Sequence, residues 1–264
     1  MSSSTPIQAP VALITGGAHG LGEATCTALA QRNVNLVIAD IDATAAKETA
    51  LACRQSGVVV HCLQIDLASA EGPSDMISET LALCQRLDIL VNNAAYAIAE
   101  PFLDMTATEW DRVYALNIRA VALATAAGGR VMCQQGGGRI INILSSTVFQ
   151  PIDNLALSGA ARMGVVAYSK SLSEELGPDN ILVNNVCPGA ILTDRMLGNT
   201  TARANAQGIS VEDALEARGQ EAVLNRIGRP DEFSGLVAFL ASDRASYITG
   251  TTMLIDGGMV RSVL

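Results

Sequence analysis

Val11-Ala-Leu-Ile-Thr15 runs without a break into Gly16-Gly-Ala-His-Gly-Leu-Gly22, and this junction decides the fold. Five consecutive apolar or β-branched residues predict a strand buried on both faces. The glycines that follow predict a tight turn opening a helix. Gly16, Gly20 and Gly22 keep side chains out of that turn, so the backbone can approach a pyrophosphate closely. The N–H groups of the loop through Ala18, His19, Gly20 and Leu21, with the positive end of the helix dipole, then stabilise the anion. The spacing is G-x-x-x-G-x-G rather than G-x-G-x-x-G, with the same physical consequence. The His19 side chain reads either as a phosphate contact or as a solvent-exposed group.

Asp40, followed by Ile41, ends the next apolar run, about twenty residues beyond the glycines. A carboxylate there accepts hydrogen bonds from ribose hydroxyls and repels the additional phosphate of NADP. No Arg or Lys adjoins it, and Asp42 adds negative charge, so NAD is the expected cofactor.

Working outward, β-branched runs recur at Val11–Thr15, Asn35–Ala39, Val58–Cys62, Asp88–Val91, Arg139–Ile143, Ile181–Asn185 and Thr252–Ile255. Ala-rich segments between them predict helices at 21–32, 43–56, 74–86, 107–134, 158–176 and 231–241. The alternation predicts a single doubly wound α/β domain over residues 1–264, a parallel sheet of about seven strands with helices on both faces. Residues 1–10 are expected to be a flexible tail without a signal-peptide pattern. Residues 193–226 break the rhythm with small and polar residues and are expected to be a substrate lid or surface insertion.

A net charge of -9 argues against nucleic acid and anionic membrane as partners. Six cysteines without a C-x-x-C or His-paired spacing suit a reduced, cytoplasmic protein and give no metal site.

Further motifs extend over nearly the whole chain: Asn92-Asn-Ala-Ala95, Asp66-Leu67, Asn117 within Leu116-Asn-Ile118, and Pro188-Gly189 followed by Ile191 and Thr193. The terminal stretches Gly228-Arg-Pro-Asp-Glu232, Tyr247-Ile-Thr-Gly250 and Asp256-Gly-Gly258 complete the set. With the glycine turn, these resemble the short-chain dehydrogenase/reductase family. The resemblance implies that Asn93, Ala94 and Ala95 border the adenosine half of the dinucleotide and that Asp66 and Leu67 contact adenine. It implies that Pro188, Gly189, Ile191 and Thr193 lie beside the nicotinamide carboxamide, and that Asn117 holds a water of a proton relay. It also implies a homo-dimer or homo-tetramer, for which Ala160, Met163, Gly164, Ala167 and Ser171 form a small-residue helical face.

The family's catalytic serine is followed thirteen residues later by the tyrosine of a Tyr-x-x-x-Lys motif. Ser145 matches the serine, with Ser146 as the alternative register. Thirteen residues onward stands Ser158-Gly-Ala-Ala-Arg162, and the flanking Lys170–Leu176 and Asn184–Gly189 keep the family's register. Tyr168-Ser-Lys170 does not replace the motif. Ten residues carry Tyr168 about 15 Å along the helix from Ser158 and turn it about 80° away.

Ser145, Ser158, Arg162 and Asn117 are therefore the candidate catalytic set, Arg162 also binding cofactor ribose. A serine hydroxyl can donate to an oxyanion but transfers protons poorly at neutral pH. Arg162 supplies positive charge and is not expected to titrate. Tyr96 is the nearby phenol that could stand in for the missing one, or it covers the cofactor as a loop residue.

The expected activity is an NAD(H)-dependent oxidoreductase of a carbonyl or secondary alcohol. The alternatives are a non-redox lyase, isomerase or cyclase that retains the cofactor, or a catalytically silent dinucleotide-binding protein. Val148, Phe149, Ile152, Leu155 and Leu157 suggest a largely apolar small-molecule substrate.

Overall fold

The structure is a computed structural model and describes residues 9–263. Most of the expected flexible tail therefore lies outside the described residues. Pro10, within them, is tied down, since its carbonyl accepts the Asn35 N–H at 2.8 Å.

Seven strands form one parallel sheet in the order β3-β2-β1-β4-β5-β6-β7. They are β1 (Val11–Thr15), β2 (Asn35–Asp40), β3 (Val60–Gln64), β4 (Ile89–Asn92), β5 (Gly138–Ile143), β6 (Ile181–Pro188) and β7 (Thr252–Ile255). The order reverses between β1 and β4, where their C-terminal ends open the crevice that dinucleotides use in such sheets. The expected β3 begins two residues late, because register puts Val60 opposite Leu36 while Val59 turns outward.

The helices are α1 (Gly20–Ala30), α2 (Ala43–Arg54), α3 (Gly72–Cys84), α4 (Ala107–Tyr114), α5 (Val121–Gln135), α6 (Ala156–Leu176), α7 (Asp194–Gln207), α8 (Val211–Gln220) and α9 (Pro230–Leu240). β1 is buried along its whole length, and its side chains alternate between two cores. Ala12 and Ile14 join α1, α2 and α9 on one face; Val11 and Leu13 join α3, α5 and the end of α6 on the other. The near-continuous apolar strands are thereby accounted for.

One expectation needs correction. The single helix expected over 107–134 is divided by a π-helical turn, Ala115–Ala120, centred on Asn117. The Asn117 side chain accepts from the Tyr96 N–H at 2.9 Å and donates to the Tyr96 carbonyl at 2.7 Å. A π turn admits one extra residue and is a common device beside functional sites. Residues 193–226, expected to be a lid or a surface helical insertion, contain two helices: Thr193 caps α7 and Ser210 caps α8, each through its hydroxyl.

A buried polar ladder crosses the sheet near its C-terminal edge. Asn92 donates to Asn142 at 2.8 Å, Asn142 to Asn185 at 3.0 Å, and Asn185 to the Thr252 hydroxyl at 3.0 Å. These residues are paired in register, so each side chain meets its neighbour across one strand spacing. Thr125 and Ser169 accept the ladder's remaining amide hydrogens from Asn92 and Asn142.

Candidate active site

The glycine turn forms the cradle that its sequence implied. Gly16 and Gly20 have positive φ angles of 62° and 55°, a region that side chains disfavour. A Cβ on Gly22 would stand 2.0 Å from the Gly16 carbonyl oxygen. Thr15 and Asn93 brace the turn: the Thr15 hydroxyl accepts the Asn93 and Ala94 N–H groups, and the Asn93 amide donates to the Thr15 and Gly16 carbonyls. Ala95 follows, half-buried. Such a cradle, which any Cβ would fill, fits a pyrophosphate.

Around it the expected contacts divide. Asp40 accepts the Ala18 N–H at 3.0 Å on one oxygen and the Asp42 N–H at 3.0 Å on the other, which fixes the carboxylate at the mouth of the cradle. The Ala18 N–H is thus engaged within the loop. His19 is exposed and lies 3.4 Å from Asp42, which in turn caps α2. Leu21 is half-buried and Ile41 exposed. Leu67 is buried in the core while Asp66 is exposed, its carboxylate accepting the Ala68 N–H. On the opposite wall the Gly189 N–H donates to Ile255, Ile191 is buried, and the Thr193 methyl packs where a Gly20 side chain would project. Pro188 ends β6 beside them.

The structure brings Ser158 and Arg162 together on one face of α6, both buried. The Arg162 Nε–H donates to Ser158 Oγ at 3.2 Å, and Nη1 donates to the Ile143 carbonyl at 3.2 Å. No carboxylate pairs with this guanidinium among the described residues. Burial lowers its pKa to about 10, so it stays charged at neutral pH but with less margin than a surface arginine. The expectation that it does not titrate therefore needs limiting to neutral pH.

Ser145 follows β5, and its hydroxyl accepts the Thr147 N–H at 3.2 Å; the neighbouring Ser146 is buried. The Cys187 thiol faces both the Ser145 backbone and Arg162, and burial pushes it up to about 12. Its position beside Arg162 had no local signal, since it arises from the β5–β6 register.

Tyr168 packs with Val148, Phe149, Val165 and Cys187; its buried hydroxyl lies beside the Thr125 side chain, and burial pushes the phenol up. Tyr96 packs on Leu157 and Ala161, the α6 neighbours of Ser158 and Arg162, and Arg112 stands 4.1 Å over its ring. Leu157 is core, and Val148 and Phe149 lean on the Cys187 cluster. The apolar pocket expected from these residues is thus largely consumed by packing.

Beyond Thr193 a cavity of about 320 Å³ opens between β6, α7 and α8. Its walls carry Arg195, Arg203 and Arg218, which sequence reasoning missed although Arg195, Asn199 and Arg203 recur every four residues.

Comparison with known proteins gives the same picture. Residues 16–260 match the family model described as enoyl-(acyl carrier protein) reductase. A 3-oxoacyl-(acyl-carrier-protein) reductase of Synechocystis sp. is 36% identical over 258 residues, covering 97% of this chain and 99% of that protein. A short chain dehydrogenase/reductase of Aspergillus oryzae is 33% identical over 256 residues, covering 96% of this chain and 95% of that protein. Among solved structures, L-sorbose reductase from Gluconobacter frateurii, complexed with NADPH and L-sorbose, superposes with a TM-score of 0.93 at 28% identity, covering 97% of this chain and 98% of that one.

Proposed function

This chain belongs to the short-chain dehydrogenase/reductase family, and on that premise we propose an NAD(H)-dependent oxidoreductase of a carbonyl or secondary alcohol whose reactive oxygen is held by Ser158. One observation carries the reading. Ser158 Oγ accepts from Arg162, so its own hydrogen is free to point at a substrate oxygen. A hydroxyl polarised by a buried cation stabilises developing negative charge at that oxygen, a role of the oxyanion-hole type. Ser145 supplies a second hydroxyl on the opposite side, and the proton comes from water rather than from a phenol.

When bound, the nicotinamide supplies or takes the hydride. Gly16, Gly20 and Gly22, with the N–H groups of the loop through His19 and Leu21, hold the pyrophosphate. Asp40 beside Ile41 holds the adenosine ribose, and Asp66, Leu67, Asn93, Ala94 and Ala95 border the adenine. Pro188, Gly189, Ile191 and Thr193 border the nicotinamide. Arg162 has five N–H hydrogens and commits two, which leaves three for the second ribose and the substrate. Asn117 acts by positioning, tying the Tyr96 turn to the π turn of the facing helix. The L-sorbose reductase neighbour carries NADPH; NAD is assigned here because Asp40 and Asp42 oppose a further phosphate.

The protein is placed in the cytoplasm as part of the same reading, with its six cysteines free. No helix among the described residues is long and apolar enough to cross a membrane. Association as a homo-dimer or homo-tetramer follows from the face of α6 that leaves Ala160, Met163, Ala167 and Ser171 exposed.

Absorbance at the NADH band, followed across a panel of ketones, tests the function. Cofactor oxidation with product formation is expected. Turnover without any absorbance change would replace this reading by a non-redox lyase, isomerase or cyclase.

A further inference from the structure

The cavity beyond Thr193 has a wall composition at odds with the molecule around it. The chain carries -9 net charge, yet three arginines and no aspartate or glutamate line this space. Arg195, Asn199 and Arg203 stand four residues apart on α7, so one helical face presents them together. Arg195 donates to the Ala97 carbonyl at 3.0 Å, which holds the lid helix over the loop after β4. Arg218 of α8 pairs with Glu221. Arg203 has no hydrogen bond or ion pair among the described residues. Like charges gathered on a cavity wall repel one another unless an anion sits between them.

We propose that this cavity binds an oxyanion group, a carboxylate or phosphate, on the substrate whose carbonyl oxygen is held by Ser158, with Arg195 and Arg203 as its ligands. The proposal rests on the oxidoreductase reading and names the substrate class for it: an oxo acid or an oxo compound bearing a phosphate ester. The position of Arg203 favours the substrate over the cofactor as source of the anion. One wall of the cavity, with Leu21, Pro188, Gly189, Ile191 and Thr193, is the wall assigned above to the cofactor, and Arg203 stands at the other end, ten helical residues carrying its backbone about 15 Å from Thr193. An arginine side chain covers only part of that distance. Arg195 lies nearer the reaction centre, close enough for its charge to disfavour that of Arg162. A substrate spanning from Ser158 to Arg203 thus passes Arg195 on the way. The two guanidiniums can each make paired hydrogen bonds to a planar carboxylate or to phosphate oxygens.

Calorimetry on the full-length protein saturated with NADH tests this, with inorganic phosphate as probe. Phosphate should bind, butyrate, a carboxylate with no ketone for NADH to reduce, should compete with it, and butyramide, which lacks the charge, should not. Arg203→Gln changes an exposed side chain and should leave the circular dichroism spectrum unaltered. It should weaken phosphate binding at least tenfold while altering NADH affinity less than twofold. Two results overturn the proposal: no phosphate binding to the NADH-saturated protein, or a loss of NADH affinity in Arg203→Gln as large as the loss for phosphate. The latter would assign the arginines to the dinucleotide's own pyrophosphate. Because phosphate binding needs no hydride transfer, an intact phosphate site in a protein that oxidises no NADH would support the anion site and remove only the redox reading.

Discussion

Arg162 is a buried cation whose only protein partners among the described residues are a serine hydroxyl and a main-chain carbonyl. Burying a charge without a counter-ion costs several kcal/mol, and in the proposed site the ribose and the substrate oxygen would offset that cost. The protonated form is the one that polarises Ser158, and burial has brought its pKa to about 10. Carbonyl reduction should therefore hold steady from about pH 6 to 8 and fall as the pH approaches that value, because the cation is lost on the alkaline side. A kcat/KM profile that rises between about pH 8 and 10 would contradict this assignment. Asp40 makes the second residue-scale prediction. With both oxygens fixed by backbone N–H groups, its charge cannot swing away from a phosphate on the ribose. NADH should bind more tightly than NADPH by about 1 kcal/mol or more, and Asp40→Ala should narrow the gap. Calorimetry giving equal or tighter NADPH binding to the unaltered protein would remove this role.

At the scale of elements, the asparagine ladder ties β4, β5, β6 and β7 together just below the site. Asn142 is its centre, and the next residue, Ile143, offers the carbonyl that accepts from Arg162. Asn142→Ala would leave one amide hydrogen of Asn92, the Asn185 carbonyl oxygen and the Ser169 hydroxyl without this partner. A loss of roughly 3 kcal/mol is expected from such buried orphans, read as a lowered urea midpoint; a loss below about 1 kcal/mol would mean the ladder relaxes freely. These same elements show what a sequence can disclose. The seven strands and the glycine turn were legible because each is written locally, as an apolar run followed by residues that permit φ > 0. The Ser158–Arg162 pair was legible through the family resemblance, by counting from Ser145, and the spacing of four then gives the two a shared helical face. The π turn was not, because it depends on Asn117 meeting the backbone of Tyr96, 21 residues away. The arginines of α7 and α8 were not singled out, because they come together only where α7, α8 and β6 enclose a space.

For the whole molecule, exposed apolar groups are spread over the surface, and several of them lie on or just before α4, α5 and α6. Trp110 and Tyr114 of α4, Leu123 of α5 and Met163 of α6 are exposed, as are Phe102 and Leu103 just before α4. Gly164 is half-buried on the same helix as Ala160 and Ala167, leaving room for a helix of another copy to approach closely. Apolar patches of this kind mark association surfaces. Light scattering at micromolar concentration should give a dimer or tetramer, and a monodisperse monomer would contradict the proposed assembly. The proposed chemistry still rests on which α6 side chain meets the reacting oxygen. Stopped-flow NADH absorbance, with one ketone turned over by the unaltered protein, compares Ser158→Ala with Tyr168→Phe directly. Ser158→Ala should lose on the order of 10²-fold in rate, while Tyr168→Phe, whose hydroxyl is buried beside Thr125 about 15 Å along α6 from Ser158, should match the unaltered protein. Loss of activity in Tyr168→Phe with full activity in Ser158→Ala would contradict the account.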